Sequence, residues 1–197
     1  GMVPAGYNIA PGQNIAIIVS EGGKNELALC RWGFVPSWGK DLKEGHKMIN
    51  ARAETVAEKP SFRQAFSRQR CLVVADGFYE WKKVGGKKIP VYVRLKNGTP
   101  FGMAGLYNLW TSPEGEQVCT STIITTEANG LVRPVHDRMP VITPQDKVAL
   151  WLDPSVQEKE KLLPVLKPCP DDEIELYEVS TMVNSPKNDS EENIRRQ

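Results

Sequence analysis

The sequence predicts an α+β fold: a mostly antiparallel, barrel-like curled sheet with a few peripheral helices. Three observations carry that expectation. Short runs of strand-type apolar residues recur along most of the chain, separated by Gly- and Asn-containing turn signals. Helical periodicity is confined to a few short stretches. No internal repeat, low-complexity tract or linker divides the chain, so its 197 residues read as one domain, 1–197.

The elements follow in order. Ile15 to Val19 and Leu27 to Trp32 form two strands joined by the turn Glu21-Gly22-Gly23-Lys24-Asn25. Gly33 to Gly45 is a loop rich in Gly, Pro and Trp, with Trp38 near its tip. From Lys59 to Arg70 the pattern is helical, with Phe62, Ala65 and Phe66 on one face. Strands are then expected at Cys71–Ala75, Phe78–Lys82, Ile89–Leu95, Phe101–Tyr107 and Gln117–Thr125. Between them, Val84–Lys87 and Lys96–Thr99 are turn signals, the second holding the Asn-Gly pair that tight hairpins favour. Glu127 to Val132 reads as one helical turn, and Thr143-Pro144-Gln145-Asp146 as a helix start with Thr143 as N-cap. A further helix is expected over Ser155–Leu163, a last strand over Ile174–Val179, and a frayed polar tail over 186–197.

Composition narrows the function classes. The net charge of +1 provides no global field for a polyanion, so nucleic-acid binding requires a local patch. No apolar run reaches the roughly 20 residues that span a bilayer, and Gly1-Met2-Val3-Pro4 is neither basic nor apolar enough for a signal peptide. Gly1 before Met2 reads as the remnant of a cleaved tag, and residues 1–6 as a partly tag-derived or shortened start. Cys30, Cys71, Cys119 and Cys169 are widely spaced with no CxxC pair, which gives no zinc signature. Cys71 and Cys119 lie in strand-like runs and read as buried reduced thiols, pointing to a reducing, cytoplasmic compartment. No metal, nucleotide or other cofactor is expected, since P-loop, HExxH, GxSxG and dinucleotide fingerprints are all absent. A monomer is expected.

Six polar residues stand in unusual settings: Asn8, Asn50, Arg52, Glu80, His136 and Arg138. Glu80 lies between Tyr79 and Trp81 just past an apolar strand; facing inward it is desolvated and suited to proton transfer, facing outward it is an ordinary solvated Glu. Asn50 and Arg52, two apart, share a face if extended, where amide and guanidinium suit a phosphate or sugar oxygen; an Asn turn and an ion pair is the alternative. His136 sits between Pro134 and Pro140, either held as a general acid or base or paired at the surface with Asp137.

Five ordered blocks carry a family resemblance: Tyr7-Asn8-Ile9-Ala10-Pro11-Gly12-Gln13, Arg31 to Trp38, Asn50 to Thr55, Asp76 to Trp81, and His136-Asp137-Arg138-Met139-Pro140. Together they resemble the SOS response-associated peptidase (SRAP) family, whose members process abasic sites in DNA, and the likeness runs from Tyr7 to Asn188. The resemblance implies a covalent sensor of abasic sites in single-stranded DNA. Members begin Met-Cys-Gly-Arg, remove their own Met, and use the α-amine and thiol of the exposed cysteine to trap the sugar aldehyde as a thiazolidine. It implies Glu80 and His136 as acid–base groups and Asn50 as a hydrogen-bond partner at the reacting end. It also implies Arg52 and Arg138 on phosphates, Pro11 and Trp38 on bases, Asn8 within the interface, and Arg63–Arg70 as a more distant DNA contact. The chain departs from the pattern at its start, where Gly1 and Met2 stand and no N-terminal cysteine is present. The expectation is therefore a scaffold with its acid–base residues but without the thiazolidine reaction. Two other functions remain in view: a non-covalent module for single-stranded or junction DNA, and a protease acting on other proteins.

Overall fold

In the computed structural model, which describes residues 3–197, the chain builds one closed sheet and one small open sheet. Gly1 and Met2, and with them part of the expectation about the start, lie outside the described residues. The strands are β1 Asn14–Glu21, β2 Lys24–Trp32, β3 Asn50–Arg52, β4 Arg70–Ala75, β5 Phe78–Val84, β6 Lys87–Leu95, β7 Phe101–Thr111, β8 Gln117–Glu127, β9 Arg138–Pro140 and β10 Ile174–Glu178. The helices are α1 Arg63–Arg68, α2 Val148–Leu152 and α3 Lys159–Leu162, with single 3-10 turns between elements.

The larger sheet runs β2-β1-β4-β7-β8-β3, and β2 also pairs with β8, closing five strands into a barrel. Most pairings are antiparallel; β2 with β8 and β3 with β8 are parallel. Among the described residues, the two larger of three apolar clusters fill most of the structure, and the third joins Tyr92, Val179 and Val183. Of the larger two, one joins Phe34, Phe62, Phe66, Leu106, Ile124, Trp151 and Leu162; the other joins Ile17, Val73, Met103, Ile123, Met139 and Ile174. The second sheet, β10-β6-β5, lies outside the barrel yet shares its core through Val93 and Ile174.

The two Gly-Gly turns behave as expected: Gly22, Gly23, Gly85 and Gly86 all have positive φ, the two-residue geometry that matches strand twist. Lys96–Thr99 does not. Its turn carries the chain from β6 in the small sheet to β7 in the barrel, so Asn97-Gly98 joins no hairpin. The local turn forms where the sequence places it, and tertiary contacts overrule its pairing consequence.

Other expectations are corrected. The helix over Lys59–Arg70 shrinks to Arg63–Arg68, because Arg70 is already the first residue of β4. Thr143 is not an N-cap: Pro144 takes that position without a side-chain cap, and the Thr143 hydroxyl is buried. The helix over Ser155–Leu163 reduces to α3 followed by a 3-10 turn. The tail is not frayed. Ser190 and Asn193 form a capping box, Asn193 is fully buried, and Asp189 accepts from the backbone N–H groups of Tyr7 and Asn8.

Cys119 is corrected as well. Parallel pairing of β2 with β8 brings its Cα within 4.8 Å of Cys30, inside disulfide range, and the two sulfurs are bonded across 89 residues of sequence. Cys71 is a buried free thiol, as is Cys169.

Arg70 is 3% exposed and donates to five backbone carbonyls: Phe66, Ser67, Trp151, Asp153 and Val156. Burial lowers its pKa to about 10, leaving it charged at neutral pH. It ties the end of α1 to the end of α2, where carbonyls lack intrahelical partners. Arg70→Met is expected to cost on the order of 3 kcal/mol, because buried carbonyls lose their donors; urea denaturation of the two proteins checks it.

Candidate active site and nucleic-acid interface

The Asp76-Gly77 pair turns the chain from β4 into β5. A Cβ on Gly77 would collide with the Tyr92 ring, and the Tyr92 hydroxyl donates to Asp76 Oδ1 at 3.2 Å. Only glycine fits beneath that ring. The turn delivers Phe78-Tyr79-Glu80-Trp81 onto β5, the edge strand of the small sheet, with Glu80 opposite Val91.

Glu80 faces an open cleft of about 540 Å³ lined also by Trp81, Lys83, Lys88, His136 and Asn184. Burial raises its carboxyl above the ordinary carboxylate value; His136 opposes that rise and Asp137 adds to it. Of its two sequence readings, the desolvated one describes this environment. The far wall of the cleft is fixed by Trp81 Nε1, which donates to Asn184 Oδ1 at 2.7 Å.

His136 arrives from a loop with its own restraints. The Asn129 side chain accepts from Val132 N–H and donates to the Cys169 carbonyl, and His136 N–H closes back on the Val132 carbonyl. The Arg138 backbone N–H lies 3.0 Å from Nδ1. An N–H can only donate, so Nδ1 accepts and the neutral ring carries its proton on Nε2. A protonated ring can instead donate from Nδ1 to the Arg138 carbonyl at 3.1 Å and face Asp137 Oδ1 at 3.4 Å. Both charge states therefore have partners.

Around β8 a second group gathers. Asn50 and Arg52 point outward from β3 on either side of buried Ala51. Across β8, on β9, Arg138 makes a two-pronged contact with Glu54 at 2.7 and 2.9 Å and donates to the Thr125 carbonyl at 2.8 Å. The Arg138 hydrogen bond is the main reason the Glu54 carboxyl lies below its usual value, with Arg52 assisting. Arg138 is thus already paired, whereas Arg52 is exposed.

The remaining sequence candidates sit apart. Asn8 is 7% exposed, and its amide donates to the carbonyls of Val183, Ser185 and Asn188; in this setting it pins the start of the chain to the tail. Tyr79 adds to that clamp by donating its hydroxyl to the Tyr7 carbonyl. Pro11 is exposed ahead of β1. Trp38 is 58% exposed beside a separate shallow recess formed with Phe34, Ser61, Gln64 and Asn108. Arg70, grouped with Arg63 and Arg68 in the sequence, faces the interior and offers no phosphate contact. Sequence reasoning missed Lys83 and Lys88 as cleft residues; their signal was four lysines around Gly85-Gly86 with no acid among them.

Among the described residues no group of three His, Cys, Asp or Glu is placed to hold a metal ion, and no helix is long and apolar enough to cross a membrane.

This arrangement has relatives. The family model described as SOS response associated peptidase (SRAP) matches residues 1–186. The chain belongs to the SRAP family. It is 50% identical over 187 residues to the abasic site processing protein YoqW of Bacillus subtilis, covering 94% of this chain and 84% of that one. It is 32% identical over 217 residues to the abasic site processing protein HMCES of Xenopus tropicalis, covering 94% of this chain and 64% of that one. Among solved structures, a Bacteroides thetaiotaomicron protein superposes with a TM-score of 0.85 at 33% identity, covering 94% of this chain and 82% of that one. A Bordetella bronchiseptica protein does so with a TM-score of 0.78 at 30% identity, covering 87% and 86%. The fold of the barrel with its second sheet is thus shared with both solved structures.

The site makes a titration prediction. A carboxyl with a raised folded-state pKa binds its proton more tightly when folded, so Glu80 lowers stability as pH rises from the ordinary carboxylate range through its own pKa. Glu80→Gln should remove that loss, and the stability difference between the two proteins should grow over that window. By carboxyl-carbon NMR, the Glu80 titration should move up in His136→Ala and down in Asp137→Ala.

Proposed function

We propose that the protein processes abasic sites in single-stranded DNA, with Glu80 and His136 as its proton-transfer pair. The observation that carries this reading is their meeting in one cleft, with burial holding the Glu80 carboxyl in its protonated form to higher pH than an ordinary Glu. The names of relatives as similar as 50% supply the substrate class.

In this reading the ring-opened sugar presents its aldehyde to the cleft. His136 assists ring opening, taking a proton from the C1 hydroxyl and returning one to the ring oxygen. An N-terminal α-amine adds to the carbonyl, Glu80 donates the proton that lets water leave, and the neighbouring thiol adds to the imine carbon to close a thiazolidine. The α-amine suits this step because its pKa of about 8 leaves part of it neutral near pH 7. Asn50 hydrogen-bonds at the reacting end. Arg52, and Arg138 once it exchanges Glu54 for phosphate, hold the backbone, while Pro11 and Trp38 contact bases. Asn8 acts through the clamp on the chain's start. The same Glu80 serves the release of an initiator Met from a Met-Cys start. In this reading the protein works as a monomer in the cytoplasm, at the nucleoid when DNA is damaged.

A polypeptide whose first residue is Gly1 would carry its α-amine without a neighbouring thiol. Mixed with abasic single-stranded DNA, it should give no denaturant-resistant thiazolidine adduct, whereas a version starting with Cys-Gly-Arg and carrying the intervening family segment should give one on a denaturing gel. Glu80→Gln in that longer version should slow adduct formation by roughly 100-fold or more, the usual scale of general acid–base catalysis, while leaving binding to intact single strands unchanged. Equal binding of abasic and intact DNA with no adduct from either protein would favour a non-covalent module. The protease reading has less support. Burial pushes the Cys71 thiol up, Cys169 rises to about 11 for the same reason, and Cys30 and Cys119 are bonded, so no described cysteine is poised as a thiolate.

A further inference from the structure

The β5–β6 hairpin concentrates positive charge in a way its fold does not require. Lys82, Lys83, Lys87 and Lys88 fall within seven residues that contain no acid, in a chain whose net charge is +1. Lys83 and Lys88 are directly opposite each other in the antiparallel register, and Lys82 is opposite Ile89. Two like charges in such a pair destabilise a hairpin rather than hold it together. None of the four lysines takes part in an ion pair among the described residues.

Their position gives this arrangement a purpose. Lys83 and Lys88 line the same cleft as Glu80 and His136. Alternation along β5 places Lys83 on the same face as Trp81, and along β6 it places Lys88 on the same face as Pro90, the partner of Trp81. The outer wall of the cleft is therefore an indole followed by two ammonium groups, both exposed. None of the described residues lining the cleft is an arginine: Arg138 is spent on Glu54 and Thr125, and Arg52 stands on β3. Lysine binds phosphate as a compact point charge on a flexible stem, without demanding one strand geometry.

We propose that Lys83 and Lys88 form a phosphate-binding subsite for a single-stranded DNA backbone, holding the strand across the Glu80–His136 cleft. The ligand class is a phosphodiester chain, and the contact is independent of sequence and of the lesion. The inference rests on the DNA-processing reading above and adds to it a subsite on the small sheet, distinct from Arg52 and Arg138 on the barrel strands. It also accounts for the like-charge pair, because phosphate neutralises the repulsion when DNA binds.

The experiment is the salt dependence of binding, with fluorescently labelled intact and abasic oligonucleotides of equal length. For single strands log K falls with log salt at a slope of about −0.7 per neutralised phosphate, so each phosphate that the protein no longer neutralises makes the slope less negative by about 0.7. Lys83→Gln and Lys88→Gln should each make the slope less negative by about 0.7 and the double variant by about 1.4. Affinity for intact and abasic strands should fall by the same factor. Thermal stability of the double variant should match or exceed that of the parent, since a repulsive pair has been removed. Lys83→Arg should retain the parent slope. An unchanged slope in the double variant, with the parent still binding DNA, overturns the subsite and leaves the functional reading intact. Failure of the parent itself to bind either oligonucleotide overturns the functional reading and the subsite with it.

Discussion

Strand β8 is the constraint on which the rest of the structure depends. It pairs with β7 over Gln117–Ile123, closes the barrel against β2, and carries both β3 and β9 beside its second half. Thr120, Ser121 and Thr122 at its centre are fully buried. A polar strand in that position is costly unless its hydroxyls find partners. Two of them do so at the points where loops must be fixed. Thr120 Oγ1 accepts from the Val35 N–H, and Ser121 Oγ donates to the Arg31 carbonyl. Burial of these hydroxyls thus specifies register as well as packing.

That strand also organises the functional surface. Arg52 and Arg138 reach a common edge only because β3 and β9 flank β8, with Thr125 opposite Arg52 on one side and Pro140 on the other. Glu54 then bridges toward Arg138. The loop leaving β8 folds back through Asn129 and returns as His136, so the same strand that positions the arginines also sets the imidazole. The small sheet supplies the other half of the cleft. Its edge strand brings Glu80, and the tail supplies Asn184, through contacts with Trp81 that span more than half the chain.

The tail shows why composition misleads about order. Its residues are polar enough to read as frayed, yet their polarity is spent internally. Asp189 takes two backbone N–H groups from Tyr7 and Asn8, and Asn8 satisfies three tail carbonyls in return. A run of polar residues looks the same in sequence whether water or protein satisfies it. The same ambiguity hid Arg70, which belongs by spacing to an arginine cluster and by structure to the interior.

Local physics made much of this protein legible. Short runs of strand-type apolar residues marked the major strands to within a few residues, Gly-Gly pairs marked two hairpin turns, and the setting of Glu80 between Tyr79 and Trp81 singled it out without deciding whether it faced inward. These features depend on neighbours along the chain, so the sequence contains them. Whether Asn97-Gly98 would join a hairpin, whether Cys119 would meet Cys30, and whether His136 would share a cleft with Glu80 depend on pairings across tens of residues. Only closure of the barrel decides those pairings, because it is the burial of a shared core that selects one register and one set of neighbours from the many that local propensity allows.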